Sequence, residues 1–296
     1  MIINHSQQQG QRQELDFSET GFSRYLDYLT HGDKHDALDL YLHQRLPSLF
    51  DGREHLRILD IGVGTGRLTR QLLQLFEKLG IAIEIVALEP SSRARKQCLQ
   101  TLGELQKHVT LEERPFLIGA PLDRVPYDFI MASHVCYYFE DKNSFVQQIM
   151  NSLKEGGVAL IIGTSHTILQ NELYHTILPR LRGKPKLHRT FDSDGRMDFA
   201  EEVEFALFEE NVVFHRDVLP SRITFTLTEL EKNMVAFEKG DIEGGPILNA
   251  LSFLWRFSVS ALLTEEPIWR SLFNKQISLG QPLSLLYEDI VLTAYK

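Results

Sequence analysis

Apolar residues along the chain follow two rhythms. Short, nearly continuous apolar runs at Ile58 to Ile61, Ile81 to Leu88, Val109 to Leu111, Tyr127 to Ser133 and Val158 to Gly163 have the length expected of strands buried on both faces. Between them apolar residues recur every three or four positions, which predicts helices over Arg67 to about Leu79 and Asn143 to Leu153. Lys154-Glu155-Gly156-Gly157 is expected to end the second of these with a glycine C-cap. Alternation of strand and helix is the order of a parallel sheet covered on both faces.

Both ends of the chain depart from this pattern. Met1 to Asp16 is polar and Gln-rich, with little to bury. Phe22, Tyr25, Leu26 and Leu29, with Tyr28 beside them, then recur at helical spacing, and a second helical pattern from Ala37 to Leu46 is expected to stop at Pro47. After Gly163 the chain predicts a helix over 166–181, a basic loop over 182–194, and an acidic helix over 198–210. Two strands split by Pro220 follow, then helices over 228–239, 247–263 and 266–275, and a closing strand from Leu285 to Tyr295.

The first strand runs directly into Asp60-Ile61-Gly62-Val63-Gly64-Thr65-Gly66. Glycine at every second place permits positive φ and close approach to the main chain, and the helix behind it aims its N-terminal N–H groups at the turn. A dinucleotide site would carry G-x-G-x-x-G, but Arg67 stands where its third glycine belongs. Glu89 ends the second strand, where a carboxylate can accept both hydroxyls of a ribose; the plain alternative is a solvent-facing strand end.

Taken together, Asp60-x-Gly62-x-Gly64-x-Gly66, Glu89, the strand ending at Ser133 and Leu153-Lys154-x-Gly156-Gly157 resemble the core of class I S-adenosylmethionine (SAM)-dependent methyltransferases over about residues 55–165. The resemblance implies a doubly wound, Rossmann-like seven-stranded α/β sheet with a reversed final strand. It implies SAM as cofactor, held by Asp60, Gly62, Gly64, Thr65, Gly66, Glu89 and Ser133. It also places His134, at the exit of the fourth strand, toward the reactive sulfonium. The domain organisation expected is an N-terminal extension and helical lid (1–50), the SAM-binding core with an inserted helix at 166–182 (51–227), a helical substrate-side cover (228–284) and the closing strand (285–296).

Composition narrows the partners. A net charge of −9 argues against binding dominated by phosphates, so no nucleic-acid partner is expected. No apolar run reaches membrane-spanning length and the start lacks an apolar signal core, so a cytoplasmic protein with no membrane partner is expected; oligomeric state stays open. The two cysteines, Cys98 and Cys136, have no metal-like spacing. His31 and His35 are four apart, but Gly32 between them favours a helix-start loop capped by Asp33 over a metal site, and no metal is expected.

A closer resemblance bears on the acceptor. Phe22-Ser23-Arg24-Tyr25-Leu26, His35, Leu46-Pro47, Glu89-Pro90-Ser91 and Tyr137-Tyr138 are similar to histamine N-methyltransferase and its relatives, which methylate an imidazole nitrogen in an aromatic pocket. This implies substrate contacts at Tyr25, Tyr28, Lys34, His134, Tyr137 and Tyr138. Lys34 stands where that family has the glutamate that holds its cationic substrate, which makes histamine a poor match and hints at an acceptor bearing a carboxylate or phosphate.

His134 is the candidate catalytic residue, as a base near neutral pH, with pocket lining as the alternative role. The expected function is methyl transfer from SAM to a small-molecule acceptor, nitrogen favoured. The alternatives are O-methylation of a small metabolite, a peptide acceptor, and a SAM-binding sensor or partner subunit without catalysis.

Overall fold

The computed structural model describes residues 26, 28, 30–122, 126–165, 180, 200–240, 245–255 and 259–296. The predicted helix at 166–181 and most of the N-terminal extension, including Phe22 and Tyr25, lie outside these residues.

Five of the apolar runs form parallel strands, β1 (His55–Ile61), β2 (Ala82–Leu88), β3 (Val109–Glu112), β4 (Tyr127–Ser133) and β5 (Leu153–Thr164). Two long strands, β6 (Val213–Phe225) and β7 (Leu283–Tyr295), complete a seven-stranded sheet of order β3-β2-β1-β4-β5-β7-β6, with β7 antiparallel to both neighbours. The expected reversed final strand is therefore present. The order reverses between β1 and β4, the place where open α/β sheets leave a crevice at their carboxyl ends.

One face of the sheet is covered by α1 (Lys34–Leu49), α2 (Arg67–Lys78) and α3 (Ser92–Leu102), through Leu42, Leu72, Phe76 and Cys98 among others. The other face packs against α4 (Lys142–Ser152) and α5 (Ala200–Glu209), through Phe145, Ile149, Val203 and Leu207. Burial on both faces explains why β1, β2 and β4 read as continuous apolar runs.

Beyond the sheet's carboxyl edge, β6 and β7 continue as a two-stranded arm. Ile223, Phe225, Leu283 and Leu285 on this arm share a separate core with α6 (Leu227–Glu238), α7 (Gly245–Trp255), α8 (Val259–Leu263) and α9 (Glu266–Leu279). Trp269 and Phe273 are fully buried there, and Tyr28 joins the same cluster. The helical cover is thus carried on the arm.

Several local expectations are corrected. Pro220 does not split two strands; it lies within β6, opposite Glu288. β6 is the sheet's edge, where a missing N–H costs no ladder bond on the open side. Gly156-Gly157 is not a helix C-cap. Helix α4 stops at Ser152 and β5 begins at once, with Gly156 at φ 70° where the register against β4 shifts. Pro47 lies inside the last turn of α1, and Phe50 N–H still donates to the Leu46 carbonyl at 3.1 Å. Asp33 precedes α1 without capping it by its side chain; its carboxylate instead accepts from Arg222 N at 2.6 Å, fastening the start of α1 to β6. The single helix expected over 247–263 is described as α7 and α8, with 256–258 outside the described residues.

Candidate functional site

The site is assembled where β2, β1 and β4 end side by side. Asp60 and Ile61 close β1, and Gly62, Gly64 and Gly66 then take φ values of 73°, 55° and 74°. Only glycine adopts these without strain. Two of the three are also required by the protein's own packing. A Cβ on Gly62 would stand 2.4 Å from Val135 Cγ1, and one on Gly66 2.7 Å from Cys98 Sγ. The close approach that the glycines allow is in part that of the β4 exit and α3, a reason the sequence did not disclose. Gly66 begins α2 with no side chain capping it.

Glu89 is 2% exposed and grips the turn from the neighbouring strand. One carboxylate oxygen accepts from Gly64 N at 3.0 Å and the other from Ser91 N at 2.8 Å. Burial pushes its carboxyl upward, against those two hydrogen bonds and the Arg95 guanidinium, which hold it down. Asp60 is 1% exposed and accepts from Thr69 Oγ1 at 2.6 Å. Burial, with the charge of Glu89 adding to it, raises the Asp60 carboxyl to about 7. Asp60 therefore ties the turn to the second residue pair of α2, while Glu89 ties it to the start of α3. Both acids act on the loop from inside the protein.

On the other side of the turn, Ser133 ends β4, half-buried, and His134 follows with φ 55°. A left-handed backbone at a non-glycine residue costs about 1–2 kcal/mol, and it is held by His134 N donating to the Ile162 carbonyl at 2.7 Å. The imidazole Nε2 lies 3.4 Å from a carboxylate oxygen of Asp289 on β7, a neighbour the sequence reading did not identify. Asp289 follows Glu288, and this pair of acids interrupts an otherwise largely apolar closing strand, the signal that was available.

The remaining predicted contacts separate. Tyr138 is 6% exposed in the core shared with Phe139 and Phe145, and Tyr137 packs against its ring at a centroid distance of 4.5 Å. Tyr28 is buried against the cover, its hydroxyl 3.1 Å from that of Tyr287. Lys34 opens α1, but its side chain is outside what is described, as is Tyr25 altogether. Leu26 and Thr65, with Arg67, Arg70, Gln71, Gln97 and Thr101, line a groove of about 460 Å³, so the N-terminal segment reaches the glycine turn. Among the described residues no three His, Cys, Asp or Glu side chains converge as a metal centre, and no helix is long and apolar enough to cross a membrane.

Comparison with known proteins gives this geometry a context. Residues 59–159 match the family model of a methyltransferase domain. An uncharacterized methyltransferase of Anoxybacillus flavithermus is 26% identical over 149 residues, 50% of this chain and 59% of that protein. A second, from Geobacillus, is 26% identical over 179 residues, 60% of this chain and 72% of its own length. The chain thus spans about six tenths of the length of the Anoxybacillus relative.

Among solved structures, the YcgJ protein of Bacillus subtilis superposes with a TM-score of 0.50 at 15% identity, covering 86% of this chain and 98% of that one. The phosphoethanolamine N-methyltransferase 2 of Haemonchus contortus, in complex with phosphomonomethylethanolamine and S-adenosylhomocysteine, gives 0.51 at 15% identity, covering 100% of this chain and 60% of that one. The fold is the class I methyltransferase fold, and residues 59–159 match a methyltransferase domain.

The residues fit the SAM that the sequence leads one to expect. Each Glu89 oxygen accepts a single backbone N–H, which leaves acceptor capacity for ribose hydroxyls, since a carboxylate offers about four lone-pair sites. The α2 N-terminus, uncapped by any side chain, presents N–H groups suited to a carboxylate.

Proposed function

We propose that the chain is a SAM-dependent methyltransferase acting on a small molecule, with nitrogen as the acceptor atom. The observation that carries this reading is the side-by-side placement of the nucleotide-holding acids and turn, at the ends of β1 and β2, with an imidazole at the end of β4. SAM, when bound, supplies an electrophilic methyl group on a sulfonium. Direct displacement requires only that the acceptor be held in line with a free lone pair, so no covalent nucleophile is needed. In this reading Asp60, Gly62, Gly64, Thr65, Gly66, Glu89 and Ser133 hold the donor. His134 accepts the proton that the acceptor gives up.

The acceptor side is read from the cover. His31 Nε2 lies 2.6 Å from Glu229 Oε1, Tyr28 bonds Tyr287, and Gly32 bridges to Ile223, so the N-terminal segment is fastened to the arm and to α6. A segment held down in this way suits a small acceptor better than a peptide. Nitrogen is favoured by the resemblance to histamine N-methyltransferase relatives and by the partly exposed Tyr137, whose π face suits an amine, with the buried Tyr138 backing its ring. A hydroxyl acceptor is the second reading, favoured by His134, because a neutral hydroxyl has the greater need of a base.

A panel of amines, imidazoles, phenols and carboxylates, followed by mass spectrometry for methylated product, separates these. Methylated amine supports the proposal. Tight SAM binding with no transfer to any acceptor or cell extract supports the non-catalytic binder instead. His134→Ala is expected to lower turnover far more than SAM affinity, and unchanged turnover would remove the base from the scheme.

A further inference from the structure

Asp289 is the acid in this region that neither fold nor cofactor site uses. It is fully buried, and neither carboxylate oxygen makes a hydrogen bond among the described residues. A buried carboxylate without hydrogen bonds is costly, so a purely structural role would have favoured an amide or apolar residue. Its place in the sheet is specific. Asp289 is opposite Thr164 in the last register pair of β5 and β7, at the carboxyl edge, and Ser165 N donates to the carbonyl of the preceding residue, Glu288, at 2.8 Å. There it stands 3.4 Å from Nε2 of His134, whose side chain is 17% exposed while that of Asp289 is 0%. The imidazole is therefore partly open to solvent, and Asp289 is not.

We propose that Asp289 is the positioning residue of His134: its carboxylate holds the ring with a proton on Nε2 and offsets the charge the ring acquires when Nδ1 takes the acceptor's proton. This rests on the methyl-transfer reading above. The acceptor nitrogen's lone pair forms the bond to the methyl carbon, and the carbon–sulfur bond breaks with its electron pair going to sulfur. The proton leaving the acceptor nitrogen goes to Nδ1 of His134. The resulting imidazolium faces Asp289 and later releases its proton to water. Hydrogen bonds of this kind are often long before substrate binds and shorten in the reacting complex. The left-handed φ of His134 turns its side chain out of the strand direction, which an ordinary β conformation would not do.

The test is Asp289→Asn in the full-length chain, with Asp289→Leu beside it. The Asn variant is expected to lose about 100-fold in kcat, within the range of a positioned base, while KM for the acceptor and Kd for SAM stay within about twofold. Its Tm is expected to be equal to or above that of the wild type, because a buried carboxylate without a hydrogen bond is replaced by a neutral amide. Ring ¹⁵N spectra, assigned through His134→Gln, are expected to show the Nε2–H tautomer of His134 in the wild type and a growing Nδ1–H population in the Leu variant. Wild-type kcat in the Asn variant overturns the proposal, as does a lowered Tm with unchanged kcat per folded molecule. An Nδ1–H tautomer in the wild type also overturns it, whether or not the variants fold. If the wild type methylates no acceptor at all, the methyl-transfer reading fails, and the tautomer spectra still decide the pairing.

Discussion

The hydroxyls of Tyr28 and Tyr287, 259 residues apart in sequence, meet 3.1 Å from each other in a buried position. Tyr28 belongs to the N-terminal segment and Tyr287 to β7, two residues before Asp289 on the same face. Burial first, and the charge of Asp289 second, push the Tyr287 hydroxyl well above its ordinary range, so it stays protonated as a donor or acceptor. Tyr28→Phe or Tyr287→Phe is expected to cost about 1 kcal/mol each, with the double substitution costing less than the sum, because the paired hydroxyls are then both gone. Thermal or urea unfolding of the four proteins measures the coupling; full additivity would mean that the pair does not interact.

Gly66 meets Cys98 across the turn. Gly66→Ala adds a methyl group 2.7 Å from Cys98 Sγ at a φ of 74°. A loss of about 2–3 kcal/mol is expected from strain and overpacking together. Cys98→Gly in the same background is expected to restore only the packing part, leaving about 1 kcal/mol for the left-handed backbone. Denaturant midpoints of the wild type and these two variants check the division.

Asp60 makes stability depend on pH in an uncommon direction for an acid. Its folded value of about 7 lies above the ordinary 3.8 because of burial and then Glu89. The folded state therefore holds the proton more tightly. Its contribution is fully present below about pH 4 and is lost as pH rises through about 7. Between those limits the slope is about 1.4 kcal/mol per pH unit at most. Asp60→Asn, which keeps an acceptor for Thr69, is expected to gain stability relative to the wild type as pH rises through this window. Parallel curves for the two proteins across that range would refute the assignment.

Glu89 separates donor binding from chemistry. Both oxygens accept from backbone N–H groups, so Glu89→Gln must point an amide NH2 at Gly64 N or Ser91 N. The expected result is at least a tenfold loss of SAM affinity, from one misplaced donor and a weakened ribose contact. Calorimetric titration of SAM against the variant reads this directly.

The core was legible because a two-sided buried sheet writes itself as apolar runs, and because Asp60, the glycines and Glu89 sit at strand ends that the runs locate. β4 was located at Tyr127 to Ser133, where the structure has it. The arm was not legible. Pro220 reads as a break in any local scheme, and its tolerance in β6 depends on which strand lies at the sheet edge, a property of the whole topology. The same limit hid Asp289. Its role is visible only once β7 returns beside β5 and brings position 289 next to His134 at the exit of β4, 155 positions away in sequence.

The proposed activity is methyl transfer from SAM to a small acceptor. The most direct test incubates the purified full-length protein with SAM carrying a labelled methyl group and the amine, imidazole, phenol and carboxylate panel. Labelled product and S-adenosylhomocysteine are then followed together. Labelled amine is expected in equal amount with S-adenosylhomocysteine, both strongly reduced by His134→Ala while SAM still binds. SAM bound tightly, with no label transferred to any acceptor and no S-adenosylhomocysteine formed, would contradict it.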